Sequence, residues 1–296
     1  MMLSLSLGIM AYNEETNIGP LLDSVLDQEF NKAFLKEIIV VVSGSTDSTE
    51  EIVRSFMANE KRIHLFVQPK REGKASAVNI FLANATGEIL ILESADTIPD
   101  KNTLDKLIAP FEDKNIGMTG AHPIPINSDN TFLGYAAHFL WYKHHQVSLI
   151  SPKMGELVAF RNFVKEIPND TPVDEASIEA IIISQGYRLC YVPDAIVFNK
   201  GPEKITDFLK QRRRIAFGHK YLLQTQNHKV GTYNPVRIMI NLAIKKSEWW
   251  HIKKNIWTVG VIFLEILGRL LGNYDYYIGK KKHYIWDVAL TTKKLS

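Results

Sequence analysis

Apolar strand-like runs and helix-like periodicities alternate four times in the first 111 residues, and this alternation constrains the fold more than any other feature of the chain. LSLSLGIMA (3–11) reads as a strand, and the stretch from Thr16 to Phe30 carries Ile18, Leu21, Leu22, Val25 and Leu26 at helical spacing. EIIVVVS (37–43) is near-continuously apolar, as strands buried on both faces are. Asp47 then opens a helix, with Glu50 three positions on as its capping-box partner. RIHLFVQ (62–68) and a helix from Lys74 to Asn84 follow, then EILILE (88–93) and a helix from Asn102 to Phe111. Repeated βαβ units place the chain in the α/β class, with a mostly parallel central sheet flanked by helices. The second half is less regular. GELVAFR (155–161) reads as a strand, DEASIEAIIISQG (174–186) as a helix ending in glycine, YRLCYV and AIVFN as two more strands, and Glu203 to Gln226 as a long basic helix.

In such sheets ligands bind outside the carboxyl ends of the strands. The segments after the first, second and fourth strands are AYNEE, SGSTD and ESADT, so all three should collect along one edge. Taken singly, each has an ordinary explanation. Asp47 is a good N-cap, Ser and Thr favour turns, and Asp96 is a turn residue ahead of Pro99. REGKAS (71–76) sets Lys74 at a helix start, where its charge and the helix-end N–H groups suit a phosphate. The glycine loops that cradle nucleotides, G-x-G-x-x-G after a strand or G-x-x-x-x-G-K-[ST], do not occur.

Composition narrows the setting. A chain of 296 residues can form one large domain or one domain with appendages. Its single cysteine, Cys190, excludes a disulfide framework and, within YRLCYVP, reads as a buried inert thiol. MMLSLSLGIMAYNEE has no basic n-region and reads as a first strand, not a signal peptide. Charge is unevenly spread: residues 245–296 hold ten Lys or Arg against four Asp or Glu, while residues 1–244 hold 25 against 28. Four of the five tryptophans, Trp249, Trp250, Trp257 and Trp286, lie in that basic tail. Basic charge mixed with Trp and Tyr is what a bilayer interface attracts, and the alternative is a basic amphipathic helix packed on the core. NIWTVGVIFLEILGRLLG meets Glu265 after ten uncharged residues and then Arg269, so the expectation is a segment that lies on a membrane rather than across it.

Together, AYNEE, SGSTD, REGKASAVN and ESADT, in this order and spacing, resemble the family-2 glycosyltransferases with the GT-A fold. VDEASIEAIIISQGYRLCYVPDAIVFNKGPEKITDFLKQRRRIAFGH looks like that family's acidic catalytic helix, its following strands and a Q-x-x-R-type segment, so the resemblance covers about residues 3–225. The closing YIWDVALTTK looks like tails of membrane-associated, non-processive members. The resemblance implies a GT-A domain over residues 1–228, followed by a basic, Trp-rich helical region over 229–296 at the membrane interface. It implies a nucleotide-diphosphate-sugar donor, a divalent Mg²⁺ or Mn²⁺, and an inverting attack by an acceptor hydroxyl or phosphate. The donor would be held by Ala11, Tyr12, Glu14, Ser43, Asp47, Arg71, Lys74, Ser94, Ala95, Arg212 and Arg214, and the metal by Asp96. Asp174 and Glu175 match the family's acidic pair in reversed order, and either could be the general base. The acceptor would be a glycan or a lipid-linked molecule at the cytoplasmic membrane face.

The residues suit that chemistry. A departing nucleoside diphosphate develops negative charge that a metal and cations must stabilise, carboxylate oxygens suit Mg²⁺ and Mn²⁺, and guanidiniums make bidentate phosphate contacts. Two departures stand out. Val42 and Ser43 occupy the place where the family often has two aspartates, which leaves the nucleotide base open. The D-x-D metal motif is Ser94-Ala95-Asp96, without its first carboxylate; Glu93 is adjacent, but strand alternation points it away from Ser94. QRRRI in place of Q-x-x-R-W argues against a processive synthase. The rivals are a non-catalytic nucleotide-sugar-binding or scaffold protein and an arginine-rich nucleic-acid binder. The second is disfavoured by the net negative charge of residues 1–244 and by the lack of a recognised nucleic-acid-binding motif beside the RRR run.

Overall fold

The computed structural model describes residues 2–226, 252–279, 285 and 290–293. The expected boundary at 228/229 and the side chains of Trp249, Trp250 and Trp286 lie outside the described residues. The first half alternates as its periodicity predicts: β1 (Leu3–Ala11), α1 (Ile18–Leu26), β2 (Ala33–Ser43), α2 (Thr49–Asn59), β3 (Ile63–Gln68), α3 (Lys74–Asn84), β4 (Ile89–Ser94), β5 (Thr97–Pro99) and α4 (Thr103–Ile108). Then come β6 (Ile116–Pro125), α5 (Phe132–Ser148), β7 (Leu157–Arg161), α6 (Asp174–Ser184), β8 (Arg188–Asn199), α7 (Ile205–Thr225) and α8 (Ile252–Tyr274).

All eight strands form one mixed sheet in the order β3-β2-β1-β4-β7-β6-β8-β5. β1 pairs in parallel with β2 and β4, β2 with β3, and β6 with β8. β7 runs against both of its neighbours, and β5 against β8. Side-chain alternation builds a core on each face. Leu5, Leu7, Ile9, Ile38, Val40 and Val42 pack against Ile18, Leu21 and Leu22 of α1. Ile39, Val41, Leu90 and Leu92 pack on the other face against Val78, Phe81 and Leu82 of α3.

Several features depart from the sequence expectation. The capping box at Asp47 does not form: α2 begins at Thr49, and Asp47 accepts from Thr49 N (3.1 Å), Thr49 Oγ1 (2.6 Å) and Glu15 N (3.1 Å), tying the first two polar loops together. Glu50 instead pairs with Arg54 one turn on (2.7 Å). YRLCYV and AIVFN are one strand, β8, with the interruption taken up as a register shift against Gly120 and His122. α5 was not anticipated; Thr131 caps it by accepting from Gly134 N (3.1 Å).

α7 and α8 lie against each other at unusually short range. A Cβ at Gly268 would sit 2.5 Å from the Arg212 side chain, and one at Gly272 2.5 Å from Arg213 O, so only glycine permits the approach. By length and composition Ile252–Gly279 could cross a bilayer (mean hydropathy 1.4), which the sequence reading, stopped by Glu265 and Arg269, did not allow. In the fold these two charges pair with each other (2.9 Å) and turn toward Arg212, while Val261 and Leu264 pack on Ala136 and Phe208.

Candidate functional site

A cavity of about 490 Å³ opens along the carboxyl ends of β1, β2 and β4 and is closed by α5, α6, α7 and α8. Of the residues singled out from sequence, Ala11, Tyr12, Glu14, Ser43, Arg71, Lys74, Ser94, Asp96, Glu175, Arg212 and Arg214 line it. Three do not. Ala95 packs into the core below, Asp47 is spent on the two loops it joins, and Asp174 is buried behind Glu175.

Lys74 joins three elements. From the first turn of α3 its ammonium donates to Ser94 Oγ at the tip of β4 (3.1 Å) and to Glu175 Oε1 at the start of α6 (2.6 Å), and it stands 2.9 Å from Asp174 Oδ2. Burial opposes its charge, but the two carboxylates overcome that and hold its pKa well above the usual lysine range. Glu175 is raised above the usual carboxyl range, by burial first and then by Asp174 beside it. The pair divides by exposure: the Asp174 side chain is 1% exposed and that of Glu175 20%.

At the tip of β4 the apolar run ends in acid. Glu93 is wholly buried, accepts a hydrogen bond from Thr97 Oγ1, and leaves Oε2 without a partner. Burial, with Glu156 and Asp96 adding to it, lifts its pKa to about 8. It does not line the cavity, as strand alternation predicts, whereas Ser94 and Asp96 do. Glu14 is raised to about 7 by burial and then by the charge of Asp96, and Glu156 to about 7 by burial, Asp96 and Glu175. Three carboxyl groups with raised pKa values therefore lie within reach of the charge of Asp96.

The wall beside this acid is basic and aromatic. Gly44 has φ +66°, and a Cβ there would come within 2.5 Å of Arg71 N, so the glycine of SGSTD lets the two loops pass closely. That passage brings Arg71 Cζ to 4.1 Å over the Tyr12 ring. The three arginines of α7 diverge, as successive positions on a helix must. Arg213 pairs with Asp275, Arg212 Nη1 lies 3.8 Å from Glu265, and Arg214 faces Asp174, Glu175 and Glu156.

Among the lining residues that the sequence reading did not single out are Glu156 and Lys293. Glu156 is the second residue of GELVAFR, and a lone carboxylate ahead of a strand carries no signal. Lys293 arrives from the far end of the chain. Its ammonium pairs with Glu14, donates to Tyr12 O (2.7 Å) and lies 5.8 Å from the centre of the Tyr12 ring. Its carbonyl accepts from Thr16 Oγ1 (2.9 Å) and Asn17 Nδ2 (2.8 Å), and Thr291 bonds Glu203 N (3.1 Å) and Asp207 Oδ2 (3.0 Å). The only sequence hint was the likeness of the closing YIWDVALTTK to other tails.

Comparison with known proteins agrees with the fold. The profile described as Glycosyl transferase family 2 matches residues 6–166. Poly-beta-1,6-N-acetyl-D-glucosamine synthase of Staphylococcus aureus (strain COL) is 28% identical over 230 residues, covering 73% of this chain and 55% of that protein. The synthase of the same name from Staphylococcus epidermidis gives the same identity and coverage. The chain thus spans about half the length of these curated relatives. Among solved structures, the mannosyltransferase PcManGT from Pyrobaculum calidifontis, in complex with GDP-Man and Mn²⁺, superposes with a TM-score of 0.69 at 19% identity, over 95% of this chain and 89% of that one. S. aureus TarS 1–349 gives 0.51 at 16% identity, over 94% and 92%. At these identities the structural likeness is one of fold, and it is the GT-A architecture expected from the sequence.

Proposed function

The chain belongs to glycosyl transferase family 2, and on that premise we propose that it transfers one sugar per encounter, with inversion, from a nucleotide-diphosphate-sugar to an acceptor hydroxyl or phosphate. The observation that carries the reading is the convergence of Asp96, Lys74 and Glu175 on one cavity from the ends of β4, α3 and α6.

A divalent cation fits the acid end. Burial first, and the charge of Asp96 after it, raises the pKa of Glu14, Glu93 and Glu156, and a cation beside Asp96 would relieve the second of these causes. Mg²⁺ and similar ions are held by one or two carboxylates plus substrate phosphates, not by an all-protein cage. Among the described residues no three His, Cys, Asp or Glu side chains form such a cage. Asp96 would hold the ion, with Glu14 and Glu156 on its flanks, and when bound it supplies positive charge to the leaving diphosphate.

The remaining tasks fall to this chain's side chains. Arg71, stacked on Tyr12, and Lys293, beside Glu14, turn positive charge toward the donor's diphosphate. Glu175 is the base: of the acidic pair it is the one that reaches the cavity, and Asp174 anchors Lys74 from behind. As the acceptor oxygen bonds to the anomeric carbon, the proton of a hydroxyl or of a phosphate monoanion passes to Glu175, whereas a phosphate dianion attacks with no proton to transfer. The bond from that carbon to the diphosphate oxygen breaks, and its electron pair leaves with the nucleoside diphosphate. Lys74, held between the two carboxylates and Ser94, keeps the base aimed.

A lipid-linked acceptor at the cytoplasmic membrane face is supported by α8. Ile252, Ile256, Val259, Phe263, Ile266 and Leu270 recur every three or four residues and are 40–73% exposed, a stripe flanked by Lys253 and Lys254. Such a face suits an anionic bilayer surface.

A thermal-shift panel of sugar nucleotides with and without Mn²⁺ tests the reading, since a ligand that binds only the native state raises its stability. At least one should stabilise the protein in a metal-dependent way, and Asp96→Ala should remove the effect. Stabilisation that ignores metal throughout would favour the non-catalytic scaffold, and a ladder of products would overturn the single addition.

A further inference from the structure

The cavity does not end at the acids of the transfer chemistry. It continues into the wedge between α5 and α8, where the walls turn apolar: Leu133, Leu140 and Val147 on one side, Val261, Ile262 and Ile266 on the other. The floor of the wedge carries cations that the chemistry above does not use. Lys153, in the loop between α5 and β7, lines it and makes no ion pair or hydrogen bond with any described residue. Arg212 and Arg269 reach the same place from α7 and α8 and share one carboxylate, Glu265, at 3.8 Å and 2.9 Å. Arg212 Nε is buried without a hydrogen-bond partner. The other acids that act on these cations are Glu179, on Lys153, and Glu156, on Arg212. The electrostatic consequence is visible at Lys153, whose pKa is brought down to about 8 by burial and then by Arg212.

We infer that Lys153, Arg212 and Arg269 form an acceptor subsite for a phosphate group borne on an apolar chain, the phosphate meeting the three cations and the chain running out between α5 and α8. Calling the ligand an acceptor rests on the transferase reading; the anion site itself does not. Cations gathered behind apolar walls need a counter-charge, and a phosphate offers several charge-assisted hydrogen bonds at once. The donor's diphosphate has its own cations, Arg71 and Lys293, beside the loops after β1 and β2. The apolar half of the ligand follows from the rim. Ile266 both lines the wedge and is 40% exposed, Phe263 and Leu270 lie on the same outer stripe, and Leu149 and Ile150, two and three positions after Val147, are exposed as well. A chain leaving the wedge therefore continues onto an apolar surface instead of into water.

Titrating the full chain with decyl phosphate, decanol and inorganic phosphate, each followed by tryptophan fluorescence, tests the inference. Decyl phosphate should bind at least about tenfold more tightly than either part alone. Lys153→Met should lose about tenfold or more of that affinity, Lys153→Arg should keep most of it, and both should bind nucleoside diphosphate with Mn²⁺ as the wild type does. Decanol matching decyl phosphate, or Lys153→Met binding it undiminished, overturns the subsite. Inorganic phosphate matching decyl phosphate overturns the apolar chain as part of the ligand. If the wild type takes decyl phosphate through Lys153 but no nucleoside diphosphate with Mn²⁺, the donor reading fails and the anion site stands.

Discussion

Glu175 and Glu93 both carry raised carboxyl pKa values, yet the consequences are opposite because only one of them reaches the cavity. A base works when deprotonated, so kcat/KM should decline as pH falls through the raised pKa of Glu175, and its acid limb should lie above the range of an exposed glutamate. Glu175→Gln should cut kcat by about 10²–10⁴-fold while the affinity for nucleoside diphosphate stays near that of the wild type. Near-normal turnover in this variant would remove the base assignment. Glu93 affects stability instead. Its pKa is about 8 in the fold, against about 4.3 in an unfolded chain, so the folded state keeps a proton that the unfolded state releases. The contribution of Glu93 is therefore complete below the unfolded value and is lost as pH rises through the folded one. Glu93→Gln cannot titrate, so its melting temperature relative to the wild type should climb between about pH 5 and pH 8. A difference that stays constant with pH would contradict this.

At the scale of elements, α8 shows how one helix can carry both buried charge and an uninterrupted apolar stripe. Glu265 and Arg269 point inward to Arg212, Gly268 and Gly272 allow α7 to come close, and the opposite side is left with Ile256, Phe263 and Leu270. Introducing Phe263→Glu and Leu270→Glu together should release the protein from anionic vesicles in a sedimentation assay. Because both positions are exposed, stability should change by no more than about 0.5 kcal/mol per site. Unaltered sedimentation would remove this face as the membrane contact. α5 makes the complementary point. Its mixture of small, aromatic and histidine residues leaves no simple stripe to read, because one side meets β6, another meets α8 and a third lines the cavity.

Across the whole molecule, the proposed donor site draws on residues far apart in the chain. Lys293 lies 279 positions from Glu14 and pairs with it. Lys293→Met should raise KM for the donor by about tenfold and change kcat less, as expected for a group that binds the ground state and transition state alike. Glu14, already raised to about 7, can take up a proton in that variant and so avoid a bare buried charge. A donor KM equal to the wild type's would exclude Lys293 from the site.

Strand and helix periodicity in the first half determined the βαβ order, and with it the edge at which Asp96, Lys74 and the polar loops had to meet, because local patterning and chain direction suffice for that. Strand alternation was likewise enough to turn Glu93 away from the cavity. Which of Asp174 and Glu175 faces the cavity, where each of the three arginines of α7 goes, and that Glu156 and Lys293 belong to the site at all were decided by tertiary structure. Those outcomes depend on burial and on contacts between residues far apart in the chain, which no local pattern encodes.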